Sequence, residues 1–293
     1  MHKNFRSVFA ATAFVSTMTM AGAALAQTCT PVDFVPFTIS SPGEYCLTQD
    51  LSWTGTGPAI SVEADNVTVD LQGYEMQGPH YGHVPANPVS LAILADDVYN
   101  TTIRNGRISG FATGVSLRSG LPLTGGHIVE NLNFNSIASA AISIGTRSTI
   151  VRNNRITRLD GNLQANCVCT RAVHGITGGN VWGARTGNEI LNNSITGYIG
   201  ANDATGNSYA MAFGRSSSMR ISGNYIQTDA LSTKVRGIQL AFSSNVFITN
   251  NTFDRPNPAI EYVSGSTGKY SGNFSEQSGS NPYVGGTPVG DNF

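Results

Sequence analysis

Apolar and polar residues alternate in short runs along most of this chain, as in Ile60-Ser61-Val62, Val67-Thr68-Val69, Val115-Ser116-Leu117, Ile142-Ser143-Ile144 and Ile238-Gln239-Leu240. A period of two over such short segments predicts strands that bury one face. Between the runs stand Gly, Asn, Ser and Asp, residues that tolerate the positive φ of tight turns.

The runs belong to a longer repeat. One phrase returns as Ile103-Arg104-Asn105-Gly106-Arg107-Ile108, Val151-Arg152-Asn153-Asn154-Arg155-Ile156, Ile190-Leu191-Asn192-Asn193-Ser194-Ile195 and Ile248-Thr249-Asn250-Asn251-Thr252-Phe253, with weaker copies at 129–134 and 221–226. Its closing apolar residues are Met76, Ile108, Phe134, Ile156, Ile195, Ile226 and Phe253, with Phe274 as a candidate eighth, spaced by 32, 26, 22, 39, 31, 27 and 21 residues. The smallest spacing defines the unit, and longer spacings read as that unit plus an inserted loop. Each unit holds about three strand-like segments, which stacked turn on turn at about 4.8 Å make a parallel β-helix. The paired Asn suits such a solenoid: one takes the left-handed conformation at a sharp corner, while stacked side-chain amides hydrogen-bond from coil to coil. A sandwich or antiparallel barrel also alternates, but those folds rarely repeat their own residues at a fixed offset.

Ahead of the repeat, His2, Lys3 and Arg6 precede an apolar stretch from Val8 to Ala24 and the small residues Ala24-Leu25-Ala26. That order is a secretory signal cut before Gln27, and Thr12, Ser16, Thr17 and Thr19 make it a poor membrane span. The expected organisation is a signal at 1–26, an N-terminal cap at 27–56, a β-helix of about seven to eight coils at 57–274 and a C-terminal tail or cap at 275–293. The expected location is secreted or periplasmic, free of the membrane after cleavage. Loss of Lys3 and Arg6 leaves 15 basic against 18 acidic residues, a balance that argues against nucleic acid as a partner. Oligomeric state is open.

Four cysteines in an exported chain favour disulfides. Cys29 and Cys46 flank the first extended segment, where a cap must cover the open end of the helix, and are expected to pair. Cys167 and Cys169, one residue apart, leave three options: a tight bridge, two free thiols, or half of a metal site with His174.

The opening coil reads Pro36-Phe37-Thr38-Ile39, Pro42-Gly43-Glu44-Tyr45-Cys46-Leu47, then Ile60-Ser61-Val62-Glu63-Ala64-Asp65-Asn66-Val67-Thr68-Val69-Asp70-Leu71-Gln72-Gly73. It resembles the bacterial right-handed parallel β-helix repeat proteins of the pectate-lyase-like superfamily, including the NosD-type repeats. The resemblance covers most of the chain and implies an all-β, right-handed solenoid. It does not choose a reaction, since that superfamily includes pectate and alginate lyases, polygalacturonases, mannuronan epimerases and proteins with no known activity. The chain lacks Asn-Thr-Asp, Gly-His-Gly and Arg-Ile-Lys, although Asp96-Asp97 is present, and Gly78-Pro79-His80-Tyr81 is only an echo of the epimerases' Asp-Pro-His-Asp.

Candidate chemistry therefore comes from residue types and position. The mature basic residues are thirteen Arg against Lys234 and Lys269, and the guanidinium fork suits carboxylates of an acidic, extended polysaccharide. Aligned rungs place Gln72, Arg104, Glu130 and Arg152 in one column and Glu75, Arg107, Asn133 and Arg155 in another, which reads as surface structure. Insertions at 78–88, 159–170 and 197–208 would wall a groove beside the first strand of each coil.

The insertions and the strands they lead into supply His80, Tyr81, His83, Arg171 and His174 as catalytic candidates, with Arg118, Arg158 and Tyr209 to bind substrate. His and Tyr can act as base and acid in β-elimination if the uronate carboxylate is neutralised, by Arg171 or Arg118 or by a calcium ion held by Asp160 and Asp203. The facing of His174 is open: pairing Ala172 with Ala141 turns it outward, and pairing Ile176 with Ile144 turns it into the core. The favoured reading is an exported lyase on a uronate-containing polysaccharide. The alternatives are a non-catalytic glycan-binding or structural β-helix, and a hydrolase or epimerase on the same scaffold; a hydrolase would pair Asp160 with Asp203 or Glu261.

Overall fold

The computed structural model describes residues 29–79, 90–120, 124–159, 173–179, 185–198, 208–228 and 235–293. The expected secretory signal at 1–26 lies outside the described residues. Every described element is a strand. Ten of them stack in chain order into one parallel sheet: Phe37–Ile39, Gly57–Val62, Ser90–Asp96, Thr113–Arg118, Ala140–Ile144, His174–Gly178, Ser208–Gly214, Val235–Ala241, Ile260–Val263 and Tyr283–Val284. Eight of the ten fall within 57–274. Eighteen further strands form a second sheet folded round a corner, so that most coils give one strand to the first sheet and two to the second. The result is a right-handed parallel β-helix.

The repeated phrase sets the register. Met76, Ile108, Phe134, Ile156, Ile195, Ile226 and Phe253 stand opposite one another on successive coils, and all are buried. The next position in that column is Ser275, because Phe274 pairs with Thr252 and is exposed. Phe274 is therefore not the eighth anchor.

The Asn pair performs both roles expected of it. Asn105, Asn131, Asn153, Asn192 and Asn250 all have φ between 54° and 60°, and Gly223 and Gly272 take the same place on their coils. The following amide points inward. Asn154, Asn193, Asn224, Asn251 and Asn273 each donate from Nδ2 to the Oδ1 of the next in line, at 2.9–3.2 Å, ending on Asn292. That Oδ1 also accepts the backbone N–H of the preceding Asn, and each Nδ2 reaches a carbonyl such as Val151 or Ile190. A polar column therefore runs through buried space with its donors and acceptors matched. Earlier coils put Gly106 and Leu132 at this position, where a Cβ on Gly106 would lie 2.3 Å from that of Leu71.

The charged columns are as expected with one correction. Asp70, and not Gln72, stands opposite Arg104, because the corner from Leu71 to Tyr74 is two residues longer than that at Asn105-Gly106. Arg104 bridges Asp70 and Glu44 at 2.7 Å each, Arg152 bridges Glu130 at 2.7 Å, and Arg107 reaches Glu75 at 3.4 Å. These pairs are partly exposed, so each is worth roughly 0–1 kcal/mol. At the open end, Cys29 and Cys46 are bonded beside paired strands Thr30–Val32 and Gly43–Leu47. Cys167 and Cys169 lie outside the described residues.

A second inward column turns the corner from the first sheet to the second. Thr149 N–H donates to Asn188 Oδ1 there, and two coils earlier Thr101 N–H donates to His127 Nδ1 at 3.2 Å. His127 thus stands in for an asparagine as acceptor. It is fully buried, its Nε2 has no hydrogen-bond partner, and burial pushes its pKa down to about 4.

Truncating one rung of the ladder strands groups on two coils. Asn224→Ala is expected to lower stability by about 2–4 kcal/mol, while Asn133→Ala on the exposed face stays within about 0.5 kcal/mol, read as denaturant midpoints at unchanged slope. The depressed pKa of His127 makes its contribution complete above the unfolded value of 6.5 and lost as pH falls towards about 4, an amount of about 3 kcal/mol. His127→Asn keeps the acceptor and should flatten that acid loss of stability; an unchanged pH profile would disprove the assignment.

Candidate active site

The first sheet bends sharply one residue into its inner face. Ala59, Ala92, Gly114, Ala141, Gly175, Ala210, Gly237 and Ala259 form a column of small buried residues, each followed directly by a second inward residue, from Ile60 and Ile93 to Ile238 and Ile260. Larger side chains do not fit: a Cβ on Gly175 would lie 2.7 Å from the Ala210 carbonyl, and one on Gly237 2.1 Å from that of Ala259. Two successive inward residues break the period of two, and the residue before the bend is left on the outer face.

His174 is such a residue. It pairs with Ala140 on one side and Tyr209 on the other, and Tyr209 pairs with Arg236. Ile176 stands opposite Ile142, so neither register weighed from the sequence holds, and His174 faces outward because Gly175 takes the inner bend. The next outward column carries Thr177, Ala212, Gln239 and Glu261.

These two columns meet in one cluster. The rings of His174 and Tyr209 stack with centroids 6.0 Å apart and planes at 23°. Arg236 Nη1 donates to Tyr209 Oη at 3.2 Å and to Glu261 Oε2 at 2.9 Å, with its guanidinium carbon 5.6 Å from the ring centre. Gln239 Nε2 donates to Tyr209 Oη at 2.6 Å and to Glu261 Oε2 at 3.2 Å. Glu261 therefore holds the two donors that converge on the phenol. Among the described residues the hydrogen bonds of Arg236 run from Nη1.

The electrostatics follow from burial. His174 Nδ1 is buried without a hydrogen-bond partner, and burial, partly offset by the Tyr209 backbone, pushes the imidazole down to about 4. The imidazole is neutral at physiological pH. Burial raises the Tyr209 phenol, Arg236 opposes this, and the Glu261 charge adds to it, so the phenol keeps its proton. A neutral imidazole and a protonated phenol stand side by side.

The other expected site residues divide into two groups. His80, Tyr81, His83, Asp160, Arg171 and Asp203 lie outside the described residues. Arg118 ends its strand two coils before His174 and five residues along from that column, about 16 Å across the sheet and about 10 Å down the stack, so it does not join the cluster. Arg158 sits on the corner after Arg155–Ile156, where its carbonyl accepts the Ile137 N–H. Among the described residues no three His, Cys, Asp or Glu side chains gather as metal ligands. Arg236 and Gln239 were missed because they come from a later coil; the signal was a small residue directly after each of His174, Tyr209 and Arg236.

No protein-family model matches this chain, and no curated protein matches it. Among solved structures it is similar to an alginate lyase from Paenibacillus sp. str. FPU-7, at 15% identity over 86% of this chain and 99% of that one, with a TM-score of 0.54. It is also similar to the enzymatically active domain of bacteriophage CBA120 tailspike protein 2, at 15% identity over 82% of this chain and 38% of that one, TM-score 0.49. A third is the A-module of the Azotobacter vinelandii mannuronan C-5 epimerase AlgE6, at 10% identity over 84% of this chain and 83% of that one, TM-score 0.47. At these identities the likeness is one of fold.

The cluster makes two opposite shifts testable. Glu261→Gln removes a negative charge beside the phenol and should move the Tyr209 titration to lower pH, whereas Arg236→Met should move it higher, both read by ¹³Cζ-tyrosine NMR. Shifts of the same sign in the two variants would contradict the arrangement.

Proposed function

We propose that this chain is an exported, carbohydrate-active enzyme that cleaves an acidic polysaccharide by β-elimination. The observation that carries the reading is the convergence of Arg236 and Gln239 on the Tyr209 hydroxyl beside the neutral imidazole of His174. His174 takes the proton from C5 of a uronate residue. Its electron pair forms the C4–C5 double bond, the glycosidic oxygen leaves C4, and Tyr209 protonates that oxygen. The phenolate formed in this step accepts hydrogen bonds from Arg236 Nη1 and Gln239 Nε2, so negative charge appears where two donors are already aimed. The guanidinium of Arg236 neutralises the uronate carboxylate, which makes the C5 proton removable.

Hydrolysis is less well served. It needs two carboxyl groups across the scissile bond, and the described cluster holds one, Glu261, already paired with Arg236. The Cys29–Cys46 disulfide supports an oxidising, exported setting, and a fold shared with an alginate lyase is compatible with the reaction.

The test is the ultraviolet absorbance of unsaturated uronate during incubation with uronate polymers. His174→Ala and Tyr209→Phe should each lower kcat by roughly 10²–10⁴-fold. Because His174 must be neutral, kcat/KM should stay level down to the acid limb at about pH 4 and fall below it. Because Tyr209 must be protonated, the alkaline limb should lie above that of an ordinary tyrosine. An acid limb near pH 6.5 would place the base on an exposed histidine instead.

A further inference from the structure

Both reacting groups stand on the same side of whatever lies on the sheet. His174 and Tyr209 are paired residues on adjacent parallel strands, in one outward column, with their rings nearly parallel at 6.0 Å. Arg236, Gln239 and Glu261 rise from the same face, on the next coils. A sugar resting on this face presents one of its two sides to all five side chains. Groups acting on neighbouring atoms sit about 3–3.5 Å from them, so a base and an acid carried on two stacked rings of adjacent strands can flank a single C4–C5 bond from that side. They cannot reach opposite sides of it.

From this we infer that elimination here is syn, and that the substrate is a uronate polymer in which the C5 hydrogen and the C4 oxygen lie on the same face of the ring. This deepens the β-elimination reading and rests on it. The stereochemistry then selects among acidic sugars. D-mannuronate and D-glucuronate carry H5 and O4 cis. D-galacturonate, with its C4 inverted, and L-guluronate, with its C5 inverted, carry them trans. In a cis substrate the proton passes from C5 to His174, the C5–H pair becomes the C4–C5 double bond, and the C4–O pair leaves with the glycosidic oxygen. That oxygen takes its proton from the neighbouring Tyr209. Two chain ends result, one unsaturated, and no oxidant or co-reactant is consumed. The enzyme returns to its starting state when the proton held by His174 is restored to Tyr209. In a trans substrate the same placement would leave either H5 or O4 pointing away from the sheet.

The experiment compares the mature protein on polymannuronate and polyglucuronate with its action on polygalacturonate and polyguluronate, following unsaturated product, with His174→Ala and Tyr209→Phe as controls. The expected result is cleavage of at least one cis polymer, with kcat/KM on both trans polymers lower by roughly 10²-fold, the contribution of one lost proton-transfer partner. Both variants should lose the cis activity together. Preference for a trans polymer would overturn the syn assignment while leaving β-elimination standing. Cleavage without unsaturated product, or no cleavage of any of the four polymers, would overturn the reaction itself and the inference with it. Circular dichroism of Tyr209→Phe, which removes one oxygen from a packed ring, separates loss of chemistry from loss of fold.

Discussion

Each coil of this protein has to close at the same height above the coil before it, and from Asn154 onward the amide ladder enforces that condition. From Asn193 to Asn292 one side-chain oxygen on each rung accepts two N–H groups from the preceding coil, and from Asn154 to Asn273 each Nδ2 is divided between the next rung and a carbonyl. The geometry tolerates no slip, because a shifted rung would leave buried donors and acceptors unmatched at a cost of about 1–3 kcal/mol each. The left-handed residue before each rung from Asn154 to Asn273 makes the corner, and Asn or Gly occupies it on each of those coils.

That constraint reaches the candidate site through register. Long insertions separate Ile156 from His174 and Tyr198 from Ser208, yet His174 still stands opposite Ala140 and Tyr209, although the strand ending at Tyr198 shifts register against Tyr225–Thr228. With the corner pinned, the chain returns to the first sheet at a set level, and His174, Tyr209 and Arg236 come into one column although 35 and 27 residues separate them. The small-residue bend does the rest. By turning two successive side chains inward, it leaves the preceding residue facing out against a rigid floor.

How much of this was legible in the sequence follows from which rule governs each part. The solenoid, its closing apolar column and the Asn corner were legible because Ile108, Phe134, Ile156 and Ile195 obey strict alternation and keep a fixed offset from Asn. Strict alternation failed at two places. A corner two residues longer moved Asp70, not Gln72, into the charged column, and the inward pair at Gly175 and Ile176 defeated both registers considered for His174. Phe274 was misread because an apolar residue at the expected spacing lies one position before the register site, Ser275. The cluster round Tyr209 depends on contacts between coils, so Gln239 and Arg236 carried no local mark beyond the small residue that follows Tyr209 and Arg236.

The most direct measurement is a crystal structure of the Tyr209→Phe variant with a mannuronate or glucuronate oligosaccharide bound. One sugar should lie on the outer face of the first sheet with H5 and O4 both turned towards it, its C5 about 3–3.5 Å from the His174 imidazole and its carboxylate forked by Arg236. An oligosaccharide bound on another face, or one whose C4–C5 bond turns H5 and O4 away from His174 and position 209, would contradict the account.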